Sequence, residues 1–230
     1  MERDLAEAGE ALTMTELSLP AKAYLLACDV AGGKLRDRHR AGLLIRGAAI
    51  TDLVLRGRVA DADGRVEATG AGPTGDLVLD EMLAEVAGES PRKWKWWVRK
   101  DARGTLEALE SQLDAAGVIE LKTGRTLGLF PSRRPIVRDP AVVERLRALV
   151  DHTLRGASPV SDVDASDAAL TALAAAVELR DVIPGRDRRQ YKDRIEELTE
   201  RGGDAVPALR KLFRELRVVR ASAASSSGGS

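Results

Sequence analysis

Apolar residues recur along this chain mainly at spacings of three and four, the period of helices that turn one face to a core. Ser18 as N-cap and Pro20 in the first turn predict a helix over residues 19–28, with Leu19, Ala23 and Leu26 inward. The charged stretch 34–40 reads as a solvated loop. Over residues 41–56, Leu43, Gly47, Ile50 and Val54 are joined by Leu44, Ala48 and Leu55, so apolar positions cover much of the circumference. Such a helix belongs at the centre of a domain. Arg46 interrupts that pattern, and its stem is expected along the core with its head reaching outward.

After Gly57 the pattern changes, and Asp63–Gly64 predicts a type I′ turn closing a small hairpin. Pro73 between two glycines then fixes a loop, and Asp76 opens a helix with Leu77, Val78, Met82, Leu83 and Val86 inward. Leu106, Leu109 and Leu113 form a further stripe that Gly117 ends. Residues 118–121 and 126–130 flank Thr123–Gly124 and predict a second hairpin turning there. Asp139–Pro140 starts a helix that buries Val143, Leu146, Val150 and Leu154. An alanine-rich inner helix is expected over 168–182 around Leu170, Leu173 and Val177, and an amphipathic one over 188–200 through Tyr191, Ile195 and Leu198. Asp204 caps a last helix, with Val206, Leu209, Leu212, Phe213 and Leu216 inward. The pattern predicts an all-α, mainly helical single domain over 17–219. Its amphipathic helices pack around a hydrophobic central helical core, with small β-hairpins. A flexible segment 1–16 precedes it and a disordered tail 220–230 follows.

Residues 92–103, RKWKWWVRKDAR, stand apart. They hold all three tryptophans and six cations, Arg92, Lys93, Lys95, Arg99, Lys100 and Arg103, against the single acid Asp101. Ser90–Pro91 reads as cap and N1 proline of a helix on which Trp94, Trp97 and Val98 share a face while Trp96 and the cations point elsewhere. Two readings stand side by side. Trp94 and Trp97 are core aromatics backed by a solvated basic face. Alternatively Trp96, Arg99 and Lys100 contact an anionic membrane, where Trp favours the interface and each cation is worth about 1 kcal/mol.

The whole chain carries 36 basic and 36 acidic residues, so this basic patch does not belong to a generally basic protein and nucleic acid is not an expected partner. No apolar run approaches the roughly 18 residues of a spanning helix, and the first residues lack the form of a signal peptide; a cytoplasmic location is expected. Cys28 is the only cysteine, so no internal disulfide forms. His39 and His152 sit at no ligand spacing, no glycine-rich phosphate loop is present, and neighbouring carboxylates such as Asp80 and Glu81 point apart on a helix. The expectation is no metal, no cofactor and no enzyme. Arginine well in excess of lysine, with abundant alanine, suggests a high-GC bacterial source.

Residues 71–81, AGPTGDLVLDE, closely resemble the APTGD-x-x-LDE loop and helix of the Golgi phosphoprotein 3 family. DLVLRGR at 52–58 is similar to that family's upstream LALRGR. LDAAGVI at 113–119 is similar to its EKGVL, and a hairpin sequence follows in both. The resemblance runs from about residue 17 to residue 218. It implies a helical peripheral membrane adaptor that binds phosphatidylinositol 4-phosphate or a similar phosphoinositide at the inner membrane face. Two of the family's lipid-phosphate arginines fall on Arg46 and Arg103, its third on Leu106, and its tryptophan near Asp37. The resemblance also implies a hairpin for self-association, here Leu127, Leu129 and Phe130, and protein partners. The alternative is a cytosolic protein-interaction scaffold without lipid binding.

Overall fold

Helix α1 (Leu19–Ala27) leads through a two-residue hairpin, β1 (Cys28–Asp29) and β2 (Lys34–Leu35), into α2 (Arg38–Leu55), which is buried from Ala41 to Val54. The computed structural model describes residues 17–35, 37–70, 72–126, 130–201, 212–219 and 221, and within these the chain is mainly helical with small antiparallel sheets. The stretch expected as a loop over 34–40 is therefore a strand and a first helical turn. Asp37 makes the difference, because its side chain accepts the Arg40 amide at 2.9 Å and caps the helix.

Two glycines let neighbours reach α2. A Cβ on Gly42 would meet the Ala102 carbonyl oxygen at 2.6 Å, and one on Gly47 would meet Leu216 at 2.8 Å. Against the opposite end, β3 (Val59–Ala62) and β4 (Arg65–Ala68) form the expected hairpin, with Asp63 (φ 48) and Gly64 (φ 82) at its turn.

Asp76 organises the start of α3 (Leu77–Gly88). One carboxylate oxygen accepts the Val78 and Leu79 amides, and the other accepts Ser18 Oγ at 2.6 Å and Gln112 Nε2 at 2.9 Å. Ser18 thus spends its hydroxyl across the core instead of capping α1. Leu77, expected inward, is 73% exposed.

The tryptophan segment departs from a single helix. β5 (Arg92–Lys93) pairs with β4 through Val66↔Arg92 and Arg65↔Lys93, so Ser90–Pro91 precedes a strand. Helix α4 (Trp94–Arg99) follows, and Asp101 in the left-handed conformation (φ 41) breaks it from α5 (Ala102–Ala115) while capping Gly104 N at 3.0 Å. The second hairpin is longer than expected. β6 (Ile119–Thr126) and β7 (Phe130–Val137) pair along their full lengths, and Thr123 and Gly124 lie opposite Arg133 and Ser132 in the ladder, not at a turn.

α6 (Pro140–Arg155) buries Val143, Leu146, Val150 and Leu154 as its spacing predicts. α7 (Ala165–Ala176) is the inner helix, with Leu173 fully buried, but it starts and stops earlier than expected. Its end is a Schellman closure. Leu179 N donates to Ala174 O and Glu178 N to Ala175 O, with Glu178 at φ 56. The amphipathic segment 188–200 is divided at Tyr191 into α8 (Gly185–Gln190) and α9 (Lys192–Thr199). Residues 212–219 are helical and bury Leu212, Phe213 and Leu216; the expected start of that helix, with Asp204, Val206 and Leu209, lies outside the described residues, as do segment 1–16 and the tail beyond 221.

Candidate functional site

Helix α4 has an inner and an outer face. Trp94, Trp97 and Val98 are buried at 2%, 0% and 0% exposure, the core role that their spacing allows. Trp94 Nε1 donates to Asp61 Oδ1 at 2.6 Å, which fastens α4 to the β3–β4 hairpin. Trp97 is held by its backbone: its carbonyl accepts Arg46 Nε at 3.0 Å, whereas its own buried Nε1 has no hydrogen-bond partner among the described residues.

The outer face carries the charge. Arg92, Lys93, Lys95 and Arg99 are exposed, and none lies within 4.0 Å of a carboxylate among the described residues. Trp96 is half-buried and packs against the core. Its ring meets Trp97 edge to face, centroids 4.7 Å apart at 88°. The Arg92 guanidinium lies 5.5 Å from the Trp96 centroid. Lys100 Nζ lies 4.8 Å from the Trp96 centroid and 5.2 Å from that of Trp97, and it pairs with Glu89 at 3.3 Å and Glu85 at 3.6 Å.

Arg46 and Arg103, assigned to one phosphate by resemblance, occupy different surroundings. Arg46 is 2% exposed and does not snorkel. It donates to the Trp97 carbonyl, to Thr105 Oγ1 at 3.0 Å and to Glu85 Oε2 at 2.7 Å, so one guanidinium joins α2, α3, α4 and α5. A pocket of about 180 Å³ beside it is lined also by Glu81, Glu85, Asp101 and Thr105, with carboxylates outnumbering the guanidinium. Arg103 has an 89% exposed side chain and pairs with Glu107 at 2.8 Å; that hydrogen bond holds the Glu107 carboxyl below the usual carboxylate range. Thr105, where Arg46 meets α5, stands two residues from Arg103 and so about 200° round the helix. The structure thus places Trp96 and Arg99 on α4 and Lys100 at its C-cap, takes Arg46 inside, and puts Arg103 on an outer stripe of α5. Leu127 and Leu129 lie outside the described residues; Phe130 begins β7, paired with Thr126, and its side chain lies outside them too.

One polar cluster has no local signal in the sequence. Glu110 is fully buried, yet it receives Arg38 through both oxygens at 2.7 and 2.8 Å and the Tyr24 hydroxyl at 3.2 Å, with Arg133 at 3.9 Å. These partners come from α1, α2 and β7, far from Glu110 in sequence. A glutamate beside the Leu106, Leu109 and Leu113 stripe was the available hint. Cys28 lies near this cluster, and burial pushes its thiol up to about 12, with the Glu110 charge adding to the effect. Among the described residues, no group of three His, Cys, Asp or Glu side chains could hold a metal ion, and no helix is long and apolar enough to cross a membrane.

The family model for Golgi phosphoprotein 3 (GPP34) matches residues 19–216, and the chain belongs to that family. No curated protein matches it.

Proposed function

We propose that this member of the Golgi phosphoprotein 3 family is a peripheral adaptor that docks on membranes bearing phosphorylated, anionic lipid headgroups, of the phosphatidylinositol 4-phosphate kind, at the cytoplasmic face. The observation that carries this reading is the exposed side of β5 and α4: four exposed cations, Arg92, Lys93, Lys95 and Arg99, without carboxylate partners among the described residues, within a few residues of half-buried Trp96, whose ring Arg92 approaches at 5.5 Å, in a chain of zero net charge. Each such cation is worth about 1 kcal/mol near an acidic surface, so four give roughly 4 kcal/mol, or about a thousandfold in partitioning. Trp96 adds an interfacial anchor. Arg103, on α5 and paired with Glu107, is a further exposed cation apart from this face. Arg46 acts from behind, fixing the Trp97 carbonyl and hence the angle of α4; the pocket it helps to line also carries Glu81, Glu85 and Asp101, a set too acidic to favour phosphate. The β6–β7 ribbon, eight residues per strand, is assigned to self-association, since a two-stranded ribbon offers unpaired edges.

Sedimentation with vesicles tests the reading. The parent should pellet with phosphoinositide vesicles, lose that binding as salt rises, and bind neutral ones far more weakly. The triple charge reversal Lys93→Glu, Lys95→Glu and Arg99→Glu should remain soluble at an unchanged melting temperature. A parent that ignores every anionic composition would instead leave the cytosolic scaffold.

A further inference from the structure

The contacts of Lys100 have the form of a recognition site that the chain fills for itself. Two indole rings at right angles, 88° apart in plane, form a corner, and the Lys100 ammonium sits 4.8 and 5.2 Å from their centroids. Glu89 and Glu85 flank the same ammonium at 3.3 and 3.6 Å. Aromatic walls with nearby carboxylates are the general chemistry by which proteins hold organic ammonium groups. We propose that the corner of Trp96 and Trp97, with Glu85 and Glu89, is a binding site for the ammonium of a phospholipid headgroup, choline or ethanolamine, and that Lys100 occupies it until such a headgroup arrives. The source of the ligand rests on the membrane-docking reading above.

The charge balance supports an exchange of one ammonium for another. Glu85 is already paired with Arg46 at 2.7 Å, so Glu85, Glu89 and Arg46 together leave one negative charge, which a single cation neutralises. A headgroup ammonium replaces the one that Lys100 withdraws. Lys100 is then free to meet the phosphate attached to the same headgroup, beside Arg92 and Arg99. Trp97, at 0% exposure, forms the closed inner wall of the site, and the opening lies on the side of Lys100, whose side chain is 25% exposed, and half-buried Trp96. An occupant that belongs to the chain lowers apparent affinity for any external one, because the competent state is populated only while Lys100 is away.

The test is a titration of the full-length protein with tetramethylammonium and with phosphocholine, followed by calorimetry and tryptophan emission. Lys100→Ala should bind both saturably and about tenfold or more tightly than the parent, the opposite of what losing a mere surface cation would do. Trp96→Ala combined with Lys100→Ala should abolish that gain. Absence of saturable binding in folded Lys100→Ala, equal affinity in the double variant, or inorganic phosphate binding as tightly as phosphocholine would each overturn the site. If the alanine variant melts early, Lys100→Gln removes the ammonium while keeping a stem over the rings. Vesicles separate the two proposals. A parent that fails on anionic vesicles while Lys100→Ala binds phosphocholine in solution removes the membrane reading and keeps the ammonium site; the reverse pattern removes the site alone.

Discussion

Arg46 Nη2 donates to Glu85 Oε2 at 2.7 Å, and Glu85 in turn stands 3.6 Å from Lys100 Nζ, so a charge buried in the central helix is linked to the exposed edge of the tryptophan segment. Support and surface are therefore two ends of one network.

That link separates the two arginines which resemblance had placed together. Arg46→Met should cost about 3 kcal/mol or more, because it strands the Trp97 carbonyl in the interior, takes a donor from Thr105 Oγ1 and breaks an ion pair whose arginine is buried. Arg103→Ala, at an exposed pair within one helical turn, should change stability by about 0.5 kcal/mol or less. Urea unfolding of both variants checks the contrast; equal losses would mean that Arg46 does not brace the four helices it joins.

Asp76→Ala should cost about 2 kcal/mol or more. It removes the cap of α3, worth about 1 kcal/mol, and leaves Ser18 and Gln112 without their shared acceptor. Asp76→Asn should recover only part, since an amide offers one acceptor oxygen where the carboxylate uses two. A denaturation midpoint equal to the parent's in either variant contradicts the role given to Asp76.

These contacts also mark what could be read from the chain. The Asp76 cap and the Asp63–Gly64 turn were legible because their chemistry is local, a side chain meeting amides two or three residues on, or a backbone needing positive φ. The central place of α2 was legible because apolar residues surround it. Other features depend on partners distant in sequence. Arg92 and Lys93 look helical after Ser90–Pro91 until β4 is there to pair with them, and the break at Asp101 uses a left-handed residue that is not glycine. Thr123–Gly124 carries turn composition, yet the register from Ile119↔Val137 outward runs past it. The cations of the tryptophan segment were visible as a patch, but that Lys100 is the one neutralised follows from Glu85 and Glu89 at the end of α3.

Alkaline pH should destabilise the protein through Cys28. Its thiol is pushed up to about 12 in the folded state by burial, against an ordinary value of about 8.5 in the unfolded chain. Above the unfolded value the unfolded state binds fewer protons than the folded one, so stability falls as pH rises, from roughly 8.5 towards 12. Tyr24 is raised as well, chiefly by burial, and acts in the same direction at higher pH. The melting temperature should fall over that range, and Cys28→Ala should remove the earliest part of the fall. A parent and variant with parallel pH profiles would exclude Cys28 as the cause.

Trp94 and Trp96, two residues apart on α4, should fail in different ways. Trp94 is 2% exposed and its Nε1 bonds the Asp61 carboxylate at 2.6 Å, so Trp94→Phe loses a charge-assisted hydrogen bond worth about 1.5–3 kcal/mol together with some packing. The rest of the outer surface stays as it was, and vesicle binding by the folded fraction should be near that of the parent. Trp96 has no such bond among the described residues; its ring meets Arg92, Lys100 and Trp97, and it is half-buried. Trp96→Ala should therefore cost about 1 kcal/mol of stability, yet lower partitioning to anionic vesicles about tenfold, as expected for an interfacial anchor worth about 1.4 kcal/mol. The cations remain, so binding should weaken without vanishing and should keep its dependence on salt. Urea midpoints and sedimentation measured on the same preparations place each variant on both scales. If Trp96→Ala unfolds as readily as Trp94→Phe and binds vesicles like the parent, Trp96 belongs to the core, and the outer face of α4 loses its role as the membrane contact.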